Sequence, residues 1–570
     1  MKIKSLLLVL LMSGCQINNS SNSVSTSSTS SFVSTSENIS SSTLVSNESS
    51  SSNVITSSSG ELSTSSVASS SEVTSTSSVA SSSIESSSSS VTSSSTSSSE
   101  VSSSSSSIEE EYKDDLKEGL KGREWLEYCS SPNVMGCESI PSIGSPNILV
   151  APVLFKNEPI DNSKTVLKDI DLAFNGKSED TSFESVNSFY KKSSYNKLDM
   201  KFDVLDYWIT LDKTCTELAS LSSTRYADPT WYAVDYVVNY LKENNVDLKQ
   251  YDTDKDGYID GVWLVYGKDY SSATSKQEEI LWAYTYWTYE NTPNVKSPTS
   301  NVYGWASVEF MYEGGYSKVD AHTFIHETGH MLGLDDYYDY DSNSTISPAG
   351  CLDMMDYNIG DHNAYSKYLL GWIEPTYVTK DVTLTIDSFE SSGDSIIVPA
   401  SLLNDKSPLD EYLIIEYYTP TGLNESDSKN KYLGSYPLLF TKNGVKIYHV
   451  DSRIGELEYI YDVSYGDYVY NYSYDDLVSK TDDNTYFGIF ASNTSSYSYK
   501  SSYKLLNLLS SNKDSINNYY YSNTSASNKD LYDVNDEITS FKFNNGSTLE
   551  FNIIIDDISS EGATIIFERK

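Results

Sequence analysis

The chain has 570 residues, enough for two or three domains, and a formal net charge of −41 from 80 acidic and 39 basic residues. Such a surface repels nucleic acid and anionic membranes and favours divalent cations, so nucleic acid is excluded as a partner. Beyond the first residues, no segment has the uninterrupted apolar length of a membrane span.

The N-terminus reads Met1-Lys2-Ile3-Lys4, followed by an apolar run from Leu6 to Met12 and then Ser13-Gly14-Cys15. Positive charge, a short apolar core and small residues before a cut site make residues 1–15 a secretory signal. Small residues directly before a cysteine resemble a bacterial lipobox. That resemblance implies that Cys15 is acylated and ties the protein to the membrane from outside; a cleaved soluble signal is the alternative. Either reading takes the protein out of the cytoplasm and places it at the bacterial surface or in the medium. The other cysteines, Cys129, Cys137, Cys215 and Cys351, contain no C-x-x-C pair and fit no zinc ribbon. Cys129 and Cys137 could close a small disulfide loop.

Residues 16–107 are almost all Ser and Thr. Without clustered apolar or aromatic residues this tract cannot offset its ordering entropy, and it reads as a disordered stalk. Folded sequence begins near Glu109, and Ile108–Gly144 could serve as a pro-segment. Ile148 to Phe155 reads as a buried strand, and a helical stretch runs around Phe183 to Leu198. Asp228-Pro229 supplies an N-cap and an N1 proline to an amphipathic helix carrying Trp231, Val234, Val238 and Leu241. An Asp-rich loop, a strand over Val262–Tyr266 and a helix containing His326 follow. After Trp372 short alternating segments dominate, such as Val382–Ile386 and Tyr412–Ile415, and the C-terminus reads as a β-hairpin. The expected class is α+β: a domain over 108–375 with a mixed sheet and an active-site helix, then a β-rich domain over 376–570.

Only five histidines occur in the chain, and three fall between His322 and His330. In HETGH, His326 and His330 are four apart, so on a helix both imidazoles leave one face and can meet one metal. Asp320 can cap this helix and Gly333 can stop it. Glu327 then sits beside the metal's open position as a general base for water. Zinc needs a third protein ligand, and Asp336 stands eleven along when His326 is counted as one. Asp335 and His362 are the alternatives for that place. In Asp353-Met354-Met355-Asp356-Tyr357, a Met followed two residues on by Tyr resembles a Met-turn, with Met355 as the floor under the metal. Tyr357 could hydrogen-bond the tetrahedral oxyanion. His322 reads as a cap or packing residue, and His449 as a structural partner of a nearby carboxylate.

Asp252, Asp254, Asp256, Gly257, Tyr258 and Asp260 form a second constellation. Alternating carboxylates with glycine at position six wrap oxygen ligands around Ca²⁺, with Tyr258 giving its carbonyl. Position twelve is Trp263 instead of Glu, so the loop is no complete EF-hand, and its calcium reads as structural.

Taken together, these motifs resemble the immune-inhibitor-A-like bacterial zinc metallopeptidases. The resemblance rests on HETGHMLGLDDYYD against HExGHxLGLPDxYD, and on DMMDYNIGDHNAYSKYLLGW. SFYKKSSYNKLDM, YDTDKDGYIDGVWLVYG, EYLIIEYYTPTG and GVKIYHVD add to it, so that it spans about Asn147 to Asp451. It implies a zincin-like, metzincin-type catalytic domain and a secreted or surface-held zinc endopeptidase acting on protein or peptide substrates. His326, His330 and Asp336 would be the zinc ligands and Glu327 the base. Asp335 departs from the family, which usually has proline there. A surface adhesin built on the same scaffold is the competing reading, suited by the stalk and the Tyr-rich C-terminal half.

Overall fold

The structure, a computed structural model, describes residues 139–158, 163–221, 227–288, 291–340, 347–402, 406–462, 467–472, 486–489, 491–495, 498, 500–511, 525–560 and 562–570. Cys15 and the signal, the stalk, and the Cys129–Cys137 pair lie outside the described residues, as does the Ile108–Gly144 segment up to Ser139. The described part is α+β with several sheets. Among the described residues no helix is long and apolar enough to cross a membrane, and Cys215 and Cys351 are free and buried.

The expected strand after Asn147 forms as β1 (Asn147–Leu154) and occupies the middle of a six-stranded sheet. Parallel to it run β2 (Lys201–Val204) and β3 (Ile209–Thr210) on one side and β4 (Val262–Tyr266) on the other. Further out, β6 (Val302–Ser307) pairs in parallel with β4, and β5 (Tyr284–Trp287) closes the edge antiparallel to β6. Parallel strands are covered on both faces and so read as continuous apolar runs; VWLVY and VYGWAS are buried at every position.

The longer helices before the histidine helix are α1 (Ser163–Asn175), α2 (Val186–Ser193) and α3 (Ala227–Glu243). α2 is shorter than the Phe183–Leu198 reading. Ser185 and Ser188 form a capping box at its start, and Tyr195 and Asn196 end it by taking positive φ. α3 starts at Ala227, so Asp228 stands inside the first turn instead of at the cap, and Pro229 remains in the turn that tolerates it. α4 (His322–Met331) packs across β5 and β6 and against α2.

The later strands form three sheets. The largest orders β15 (Leu506–Leu509), β11 (Gly444–Asp451), β10 (Glu411–Tyr418), β9 (Ser395–Pro399) and β7 (Thr376–Tyr377). A second orders β16 (Glu537–Ile538), β17 (Phe551–Ile558), β18 (Ala563–Arg569) and β8 (Val382–Ile386), with β17 and β18 forming the expected C-terminal hairpin. A third orders β13 (Asp467–Tyr472), β12 (Ile454–Asp462) and β14 (Tyr486–Ile489).

β10 explains why the Tyr412–Ile415 segment is buried throughout. Tyr412 and Ile414 join the core shared with the six-stranded sheet, whereas Leu413, Ile415 and Tyr417 join a second core with Ile553, Ile565 and Phe567. Successive side chains point to opposite faces, so the period of two is kept while both faces are covered. One hydrophobic core therefore runs from the histidine helix into the β-rich half.

Candidate metal centre

α4 is held at both ends by the residues the sequence offers. The N-cap position is Ala321, and Asp320, one residue before it, accepts from the His322 amide at 3.0 Å while its other oxygen accepts from the Tyr432 hydroxyl at 3.0 Å. At the far end Gly333 takes φ +95°, its amide donates to His330 O at 2.8 Å, and the Leu334 amide donates to Gly329 O at 3.0 Å. These two bonds are a Schellman ending, which needs a residue tolerant of the left-handed region. The same turn aims Leu334 O at the second histidine, whose Nδ1 donates to it at 2.8 Å.

His326 Nδ1 donates to Met354 O at 2.8 Å. With both Nδ1 atoms tied to carbonyls, each ring carries its proton there and turns an Nε2 lone pair inward. Asp336 meets them: its Oδ1 lies 3.1 Å from His326 Nε2 and 3.3 Å from His330 Nε2. The candidate ligand atoms of His326, His330 and Asp336 all lie within 4.8 Å of one another, and all three residues are buried. His330 Nε2 and Asp336 Oδ1 have no hydrogen-bond partner. Acceptors this close and this buried repel one another unless a positive charge lies among them. The group could hold a metal ion.

Asp336 is the third member, and the two alternatives are occupied elsewhere. Asp335 turns its carboxylate back to accept from the Asp336 amide at 3.0 Å. His362 donates through Nδ1 to Asp353 at 3.0 Å and sits among Phe189, Tyr190 and Trp372. Burial pushes the Asp336 carboxyl up, whereas positive charge at His330 and His326 beside it pulls it below the usual carboxylate range, so this carboxylate too calls for a cation among the three groups. Burial and the adjacent Asp336 push Asp335 up to about 7. The outer oxygen of Asp336 accepts from the Tyr340 hydroxyl.

Glu327 is fully buried, and its Oε1 has no hydrogen-bond partner. Burial raises its carboxyl, with the charge of Asp336 adding to the rise and the two histidines opposing it. Thr285 on β5 donates to Glu327 O at 2.9 Å and lies 3.3 Å from Oε2. Nothing in the sequence around Thr285 signals this role, because it arises only when β5 is laid beside α4. No protein-family model and no curated protein matches this chain.

Met355 packs directly under α4. A Cβ added at Gly329 would come within 2.4 Å of Met355 Sδ and 3.1 Å of the Tyr190 hydroxyl. Gly329→Ala is therefore expected to lower stability by about 1–3 kcal/mol through overpacking, read from urea midpoints. An unchanged midpoint would show that the turn shifts freely. Asp353 ties this turn together. It accepts from the amides of Met355 at 2.8 Å and Asn363 at 2.7 Å, as well as from His362.

Tyr357 is 40% exposed, and its ring lies 4.6 Å from that of Tyr338, which in turn stacks near His326. His322 packs on Tyr432 at 4.6 Å; burial and neighbouring His326 push it down to about 3, so it is neutral. His449 Nε2 lies 2.8 Å from Glu411 Oε1, the structural pairing expected of it.

In the Asp-rich loop, Asp252, Asp254 and Asp256 form the second group close enough to hold a metal ion. Asp252 is 5% exposed with Oδ1 unpartnered. Gly257 takes φ +97°, where a Cβ would come within 2.5 Å of the Asn294 amide. The Tyr258 amide donates to Asp256 at 2.8 Å, and its hydroxyl to Asn291 O at 3.1 Å. Asp260, expected as a ligand, stands outside the group. Its carboxylate accepts from the Thr253 amide and hydroxyl and from the Asn147 amide, which closes the loop against β1.

Proposed function

We propose that the chain is a zinc endopeptidase with a zincin-like catalytic fold, in which His326, His330 and Asp336 hold the metal and Glu327 is the general base. The observation that carries this is the convergence of two fixed Nε2 lone pairs and one carboxylate oxygen beside a buried glutamate. Tetrahedral zinc with ligands at about 2.1 Å sets its ligand atoms about 3.4 Å apart, close to the spacings here. Two imidazoles disfavour calcium and magnesium, which take oxygen ligands.

When bound, zinc supplies Lewis acidity that brings water within reach of deprotonation near neutral pH. Glu327 takes the proton of the attacking water at Oε1, while Thr285 keeps the carboxylate turned toward the histidines. Its buried, raised carboxyl then gives the proton to the leaving amine. Tyr357, exposed beside Tyr338, would donate to the oxyanion of the substrate carbonyl, the role its resemblance to a Met-turn tyrosine implies. The substrates are proteins or peptides met outside the cell, and Cys15 is the lipid attachment point. Purified chain is expected to cleave a denatured protein, to stop on chelation, and to resume with added zinc. Binding of a surface glycoprotein without any cleavage would favour the adhesin instead.

Asp252, Asp254 and Asp256 are proposed to bind Ca²⁺ as a structural ion, supported by the unpartnered Asp252 oxygen. Millimolar calcium is then expected to raise the thermal midpoint of the parent by several degrees, roughly the effect of 1–2 kcal/mol. Asp252→Asn should not respond; an equal rise in that variant would remove the site.

A further inference from the structure

Asp336 stands in a stretch without regular secondary structure, from Gly333 to Tyr340. A ligand has to be held to within about 0.5 Å of its working geometry. The helix ending fixes the chain as far as Leu334, and the Tyr337 amide donates to Met355 O at 2.8 Å. Past that point the holding groups come from far along the sequence. Asn493 Nδ2 donates to Tyr337 O at 2.6 Å. Thr494 Oγ1 donates to Tyr338 O at 3.4 Å and accepts from the Tyr340 amide at 3.2 Å. Ser495 donates to the Asp339 carboxylate through its amide at 3.4 Å and its hydroxyl at 3.0 Å.

This short segment is itself anchored. Lys504 Nζ donates to Asn493 O at 2.8 Å and to Ser495 Oγ at 2.6 Å, and lies 3.5 Å from Asp339 Oδ2. Asn493 Oδ1 accepts from the Leu506 amide at 3.0 Å, at the start of β15. Asn493, Thr494 and Lys504 are 0%, 2% and 5% exposed. Tyr340, whose amide the segment holds, in turn gives its hydroxyl to the outer oxygen of Asp336. That leaves Oδ1 facing His326 and His330.

We propose that Asn493, Thr494 and Lys504 are positioning residues for the metal centre, so that the β-rich half sets its metal affinity by holding the loop that carries Asp336. The inference rests on the zinc reading of the centre. Groups that orient a metal ligand from behind typically change affinity about 10- to 100-fold when removed. The zinc dissociation constant of the full chain, measured by chelator competition, tests it on Thr494→Val, Asn493→Ala, Thr494→Ser and Ile565→Ala. The first two are expected to weaken zinc binding about tenfold or more at a temperature where all chains are folded. Thr494→Ser keeps the hydroxyl and should bind within about twofold of the parent. Ile565→Ala, in the second core and away from the loop, should lower the thermal midpoint without changing zinc affinity. Parent-like affinity in both Thr494→Val and Asn493→Ala overturns the clamp alone, as does an equal loss in Ile565→Ala. A parent that binds no zinc overturns the metal reading, and the clamp with it.

Discussion

Glu327→Gln is expected to abolish cleavage of a denatured protein, lowering kcat by about 100- to 10,000-fold or more while zinc content is unchanged. The amide keeps the shape of the carboxylate and the contact with Thr285, yet it cannot accept a proton from water. The side chain is fully buried and lies one residue from His326. KM should change little, since the loss is in the chemical step. Cleavage at the parent rate would remove Glu327 from the reaction, and loss of zinc together with activity would make it part of the metal site instead. Thr285→Val, which leaves the carboxylate intact but removes its donor, should give a smaller loss in kcat, checked in the same assay.

Asp336→Ala and His330→Ala are expected to lose zinc, and Asp335→Ala to retain it. The difference follows from geometry: Asp336 Oδ1 approaches both imidazoles, whereas the Asp335 carboxylate folds back on the Asp336 amide. Removing a metal that is present at about 1,000 times its dissociation constant costs about 4 kcal/mol of apparent stability. The two zinc-free variants should therefore melt lower than the parent in zinc and near the chelated parent. Metal analysis of the three purified variants decides the assignment. Zinc retained by Asp336→Ala and lost by Asp335→Ala would reverse it.

Much of this site was legible because it is local. His326, Glu327 and His330 share one helix face, and Gly333 marks the end of that helix by a conformation few other residues take cheaply. The spacing in the sequence favours Asp336 over Asp335 and His362, and the fold supplies the reason. The outcome depends on which carboxylate the Schellman turn points inward, and on Asp353 capturing His362 nine residues away. The Asp-rich loop shows the limit of spacing. Its carboxylates share a spacing in the sequence, but Asp260 accepts instead from Thr253 within the loop and from the Asn147 amide 113 residues earlier.

By itself, then, the sequence determined the α+β order of elements, the helix that carries His326, Glu327 and His330, and the turn of aspartates, because each depends on residues within about one or two turns of one another. Only the tertiary structure decided that Thr285 steadies Glu327 and that Asn493 to Ser495 hold the Asp336 loop. Those are contacts between segments 42 to 156 residues apart. No periodicity or motif encodes them, because they are made by burial that leaves a carbonyl or carboxylate in need of the nearest donor, wherever in the chain it comes from.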